Sequence, residues 1–71
     1  MKLDIGRRVK YIGGTHFRIL NEIGIIANIF QPFDLYYYVV YYPTLNLTED
    51  ICELYLTPLV YNKPQYLNNN L

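Results

Sequence analysis

Seventy-one residues with a formal net charge of zero and 52% hydrophobic content make one small domain and no more. The zero balance argues against a general polyanion binder, a single cysteine excludes an internal disulfide, and the lack of serine excludes a Ser-His-Asp triad. A chain this short buries only about 60% of its unfolded surface, so its nine tyrosines cannot all enter one core, and contiguous exposed aromatics mark a contact site.

The elements follow in chain order. Residues 8–12, RVKYI, alternate: Val9 and Tyr11 point one way, Arg8 and Lys10 the other, as in a half-buried strand. Gly13-Gly14 stops it as a simple turn, since no phosphate-loop pattern follows. Residues 15–21, THFRILN, read as an excursion loop with a helical turn, with Phe17, Ile19 and Leu20 folding back onto the core. Ile23–Phe30, IGIIANIF, is a second strand with Ile23, Ile25, Ala27 and Ile29 on one face. Gly24 sits where a bulge or a close backbone approach would bend it. Residues 31–34, QPFD, make a short hairpin connection.

Residues 35–42, LYYYVVYY, are the organising stretch. β-branched and aromatic side chains crowd a helix but sit well on a pleated surface, and an apolar run of this length between turn signals reads as a central strand. Its period of two puts Tyr36, Tyr38, Val40 and Tyr42 on one face and Leu35, Tyr37, Val39 and Tyr41 on the other. Leu35 and Val39 suggest that the second set faces the core, leaving Tyr36, Tyr38 and Tyr42 as a row on the other face, either exposed as a contact platform or covered by residues 15–21 or by the C-terminal tail. After Pro43, residues 44–50, TLNLTED, read as a polar loop. Residues 51–54 read as a short fourth strand, residues 55–58 as a tight helical turn, and residues 59–61 as a fifth strand closing against the first. A helix starting near Glu49 is the alternative for the fourth element. The domain thus spans 1–61, and 62–71 form a polar tail.

The layout of IGRRVKYIGG, EIGIIANIF, YYYVVYY and EDICELYLTPL resembles the SH3-like small β-barrel superfamily, in particular its KOW- and Tudor-like members. The shared features are a Gly before a basic-apolar first strand, a Gly opening the second, an apolar third, and an acidic-apolar segment ending in Leu-x-Pro. The resemblance covers residues 5–60 and implies an all-β, five-stranded SH3-like barrel with one helical turn before the last strand. That superfamily hosts nucleic-acid binding, peptide binding and structural roles, so it fixes no function. Two departures are the lack of tryptophan and the tyrosine-rich third strand.

Little chemistry is expected. His16 and Cys52 are the candidate base and nucleophile, one in a loop and one beside Ile51, and read as a loop residue and a small buried apolar residue. One His and one Cys cannot build a zinc site. Glu49, Asp50 and Glu53 lack the calcium-loop spacing and read as a solvated acidic edge. Neither catalytic residues, a metal, a cofactor nor a small-molecule substrate is expected.

The charges are unevenly placed. Lys2, Arg7, Arg8, Lys10 and Arg18 stand against Asp4 in residues 1–20, while Glu22, Asp34, Glu49, Asp50 and Glu53 stand against Lys63 in the remainder. The favoured reading pairs Arg7, Arg8 and Lys10 with the acidic cluster across the closing strands. The opening residues carry charges throughout and lack the apolar segment of a signal peptide, and no run approaches the roughly 18–20 apolar residues of a membrane helix. A cytoplasmic protein is expected, and the sequon at Asn46 is then idle. The abundance of Ile, Asn and Tyr fits an AT-rich genome, such as that of a phage or mobile element.

The functional expectation is a non-enzymatic interaction module that binds a protein partner or a second copy through Tyr36, Tyr38 and Tyr42. The alternative is a nucleic-acid-binding barrel that uses Arg7, Arg8, Lys10 and Arg18 with nearby tyrosines.

Overall fold

The structure is a computed structural model and describes residues 2–60; the expected tail 62–71 and the end of the expected fifth strand at Tyr61 lie outside the described residues. The described chain is all-β. Strands β1 (Arg8–Tyr11), β2 (Ile23–Phe30), β3 (Tyr37–Tyr42), β4 (Leu47–Cys52) and β5 (Leu56–Pro58) form one antiparallel sheet in the order β4-β3-β2-β1-β5. Two 3-10 turns, Phe17–Ile19 and Glu53–Tyr55, lie between β1 and β2 and just before β5. Five antiparallel strands with a helical turn ahead of the last one, which pairs with β1, agree with the sequence expectation.

Two boundaries differ. The fourth strand runs over Leu47–Cys52, so most of the stretch expected as a polar loop is strand. It is an edge strand, paired only with β3, and edge strands carry charge without losing their ladder. A four-residue connection, Pro43 to Asn46, joins it to β3. Asn46 adopts φ 52, a left-handed conformation that Asn tolerates. The fifth strand is Leu56–Pro58, because the 3-10 turn comes at residues 53–55 rather than 55–58.

The core lies on one side of this sheet. Val9, Ile26, Tyr38, Val40 and Tyr42 are 0–1% exposed, and Tyr11, Ile51 and Leu56 join them. Ile19 from the first 3-10 turn and Leu3 from the N-terminal lead pack onto the same cluster. No second sheet or long helix covers these residues within 2–60, so the sheet must curl around its own inner face to exclude water. Of the three side chains expected to fold back from the excursion loop, only Ile19 does; Phe17 and Leu20 are exposed.

Curling needs close backbone approach, and β2 supplies it in two ways. A Cβ on Gly24 would overlap Val40 Cγ1 and come within 2.8 Å of Tyr42 Cε1, so this position accepts no side chain without displacing the core. Further along, the register against β3 shifts between Ile26 and Asn28. Ala27 is the extra residue of a β-bulge, which bends and twists a strand locally. The bulge also breaks the expected alternation: Ile23 and Ile25 face outward, Ile26 and Ile29 face the core, and Ala27 is exposed.

Candidate interaction face

The third strand is turned the other way from its sequence reading. Tyr38, Val40 and Tyr42 are fully buried, while Tyr37, Val39 and Tyr41 are half-buried and Leu35 is 36% exposed. The outward row expected at Tyr36, Tyr38 and Tyr42 is therefore corrected: Tyr38 and Tyr42 are the largest fully buried side chains, and Tyr36 packs against the same cluster. The physical reason is volume. A single curled sheet with no second layer must fill its interior from its own side chains at close-packed density, and long aromatic rings reach further across it than Val39 or Leu35 would.

Burying a phenol requires a partner for its hydroxyl. The Leu3 backbone N–H donates to Tyr38 Oη at 2.9 Å. Tyr11 Oη accepts from the N–H groups of Thr15 and His16 at 3.2 and 3.3 Å and contacts the Thr15 hydroxyl at 3.2 Å. The Thr15 hydroxyl, aided by the two backbone donors and against the effect of burial, holds the Tyr11 phenol below its ordinary value. Tyr42 Oη is buried without a hydrogen-bond partner among the described residues. Burial, then the nearby Glu49 carboxylate and Tyr11, push the Tyr42 phenol up to about 12.

The opposite face of the sheet is apolar in the middle and charged at its flanks. Side chains directly opposed across antiparallel strands lie on the same face, so the register defines its rows. One row runs Arg8, Ile25, Tyr41, Thr48; the next runs Asn28, Val39, Asp50; the third runs Phe30, Tyr37, Cys52; and Lys10 with Ile23 begins a fourth. Phe30 and Tyr37 stack at 5.6 Å between centroids and 25° between planes. Ile23 and Phe30 are 40% and 42% exposed. Beyond the third row, Phe33 at the tip of the β2–β3 connection is 88% exposed and, with Asp34, Leu35 and Tyr37, lines a shallow open notch.

The basic residues do not form one surface. Arg8 and Lys10 lie on the outer face of β1. Arg7 Nη2 donates to the Leu59 carbonyl at 3.0 Å. Arg18 sits on the first 3-10 turn, which Ile19 anchors to the core side of the sheet. The expected pairing of Arg8 and Lys10 with Glu49 and Asp50 across closing strands is also corrected, because β1 pairs with β2 and β5 and is separated from β4 by β2 and β3; Glu53 lies in the 3-10 turn ahead of β5. Glu49 lies opposite Val40 on the core side, Glu53 Oε2 accepts from the Tyr36 N–H at 3.0 Å, and Asp50 faces outward. Of the two reactive side chains, Cys52 is buried and His16 packs edge-on against Tyr11 at 5.6 Å. No group of three His, Cys, Asp or Glu that could hold a metal occurs among the described residues, and no helix among them is long and apolar enough to cross a membrane.

The outer face was missed in the sequence because the cue to it lay in the segment read as a loop. With residues 43–46 as the connection, Leu47 and Ile51 fall opposite Tyr42 and Tyr38, while Thr48 and Asp50 fall opposite Tyr41 and Val39. The polar pair then marks the Val39 side as the solvent side. No family model, no curated protein and no solved structure matches this chain.

Proposed function

We propose that this chain is a non-enzymatic interaction module whose third strand engages a protein partner through its outer side, Tyr37, Val39 and Tyr41, together with Ile25 and Phe30. The observation that carries the reading is the apolar row itself. Ile23, Ile25 and Phe30 on β2 and Tyr37, Val39 and Tyr41 on β3 lie side by side on a sheet face with no element over it within residues 2–60. A contiguous apolar patch rimmed by polar groups is the usual mark of a contact surface. The strand order and the 3-10 turn before β5 support placing the chain among SH3-like small barrels, and a lone buried thiol supports a reducing compartment such as the cytoplasm.

The test compares wild-type protein with Val39→Glu as bait in nuclease-treated extract of the source cells. Proteins retained by wild type and lost with the variant support the reading. Partners held equally by both place binding on another surface and contradict it.

Nucleic-acid binding is the second reading, and it is favoured by one observation: Arg8 and Lys10 share the outer face with Tyr41 and Tyr37, so bases stacked on the rings would bring phosphates near both cations. A gel shift at low salt decides it. Salt-sensitive binding that disappears on neutralising Arg8 and Lys10 would put this reading first.

A further inference from the structure

We infer that the occupant of the outer face is a second copy of this chain, packed face to face about a two-fold axis that runs parallel to the strands between β2 and β3. This rests on the interaction reading above and adds the partner and its orientation. Opposite charges on either side of the apolar strip point to a second copy. Arg8 and Lys10 flank it on β1, and Asp50 flanks it on β4. None of the three carries an ion pair among the described residues. Two opposite charges left without partners at opposite margins of one apolar face are what a self-complementary interface requires.

Geometry selects the axis. A two-fold axis parallel to the strands exchanges left and right across the face, so β1 of one copy lies over β4 of the other and β2 over β3. Ile25 then meets the partner copy's Tyr41 position, and Phe30 meets its Tyr37 position. Arg8 lies over the row of Thr48, one row from Asp50, which is about 7 Å along a strand and within the reach of a guanidinium. A two-fold axis perpendicular to the strands would instead set Arg8 and Lys10 against their own copies and Asp50 against Asp50, and like-charge juxtaposition is disfavoured. Because the sheet curls, its outer face is convex and contact centres on β2 and β3. Long charged side chains on β1 suit the widening gap at the margins, where they keep their charge wet while covering apolar surface.

The test is sedimentation equilibrium of the full chain from micromolar to millimolar concentration, for wild type, Val39→Glu, Arg8→Glu, Asp50→Lys and the double charge reversal Arg8→Glu with Asp50→Lys. All the substituted side chains are on the outer face, and a cooperative thermal melt for each confirms that it folds. Wild type is expected to dimerise, Val39→Glu to be monomeric, each single reversal to weaken the dimer at least about tenfold, and the double reversal to recover most of that loss. Single reversals without effect, or a double reversal no better than the singles, would overturn the stated axis while leaving the apolar face as the contact. A dimer that survives Val39→Glu would overturn both the inference and the face. A wild-type monomer at millimolar concentration would overturn the second copy as partner, and a monomer that shifts an oligonucleotide would assign the face to nucleic acid instead.

Discussion

At the scale of single residues the chain turns on Val39 and Val40. They are adjacent and chemically identical, yet Val40 is fully buried and Val39 half-buried. Val40→Asp places an unpaired charge in the interior, which costs several kcal/mol and exceeds what a domain of this size can spare. It is expected to abolish the cooperative melt, whereas Val39→Asp should fold. The reverse pair of melts would restore the sequence reading of the two faces. Gly24 is the second such position. Its missing Cβ is the space that Val40 and Tyr42 occupy, so Gly24→Ala is expected to destabilise by about 1–3 kcal/mol, the usual range for overpacking, as read from denaturant midpoints. Tyr42 supplies a pH signature. Its folded value, pushed to about 12, lies above the ordinary phenol value of 10.0, so the folded state holds its proton longer than the unfolded chain does. The associated stability is fully present below about pH 10 and is lost as the pH rises from there through about 12. Alkaline titration of the melting temperature should show this loss, and Tyr42→Phe, which also removes a buried hydroxyl without a partner, should reduce it. An unchanged alkaline profile in the variant would assign the transition to other groups.

At the scale of elements, what the sequence made legible follows physical strength of signal. The alternation of Arg8, Val9, Lys10 and Tyr11 is clean, and β1 carries it as read. The bounds of Ile23–Phe30 agree with the sequence reading but its faces do not, because the extra residue at Ala27 breaks the period of two in a run where Asn28 is the one polar residue. β3 was located by its β-branched and aromatic content, whereas its orientation depended on register with β4, and β4 was hidden by its own polarity. Thr48, Glu49 and Asp50 look like loop residues until the short connection at 43–46 is recognised, since an edge strand needs only half its positions apolar. If β4 is a strand, amides of Leu47–Cys52 that pair with β3 should exchange far more slowly than those of residues 43–46. Uniformly fast exchange across 44–50 would return that segment to the loop first expected there.

At the scale of the whole molecule, the interior and exterior divide the tyrosines between two jobs. Tyr11, Tyr38 and Tyr42 fill a core that has no second layer to fill it, and Tyr37 and Tyr41 stand on the outer face with Ile25, Val39 and Phe30. A composition rich in tyrosine requires that some rings lie outside the core, as Tyr37, Tyr41 and Tyr55 do, but one sequence cannot say which ring does which, because Tyr is equally at home in either place when its hydroxyl can reach a donor or water. The charges follow the same division: Arg7 is used within the fold, while Arg8, Lys10 and Asp50 remain outward at the margins of the apolar strip. Hydroxyl-radical footprinting of the tyrosines, resolved by fragment mass spectrometry at dilute and at associating protein concentrations, tests this division most directly. Rapid labelling of Tyr37 and Tyr41 in dilute protein, protection of both on association, and protection of Tyr38 and Tyr42 throughout are expected; labelling of Tyr38 and Tyr42 as fast as Tyr37 and Tyr41 would mean that the division is wrong.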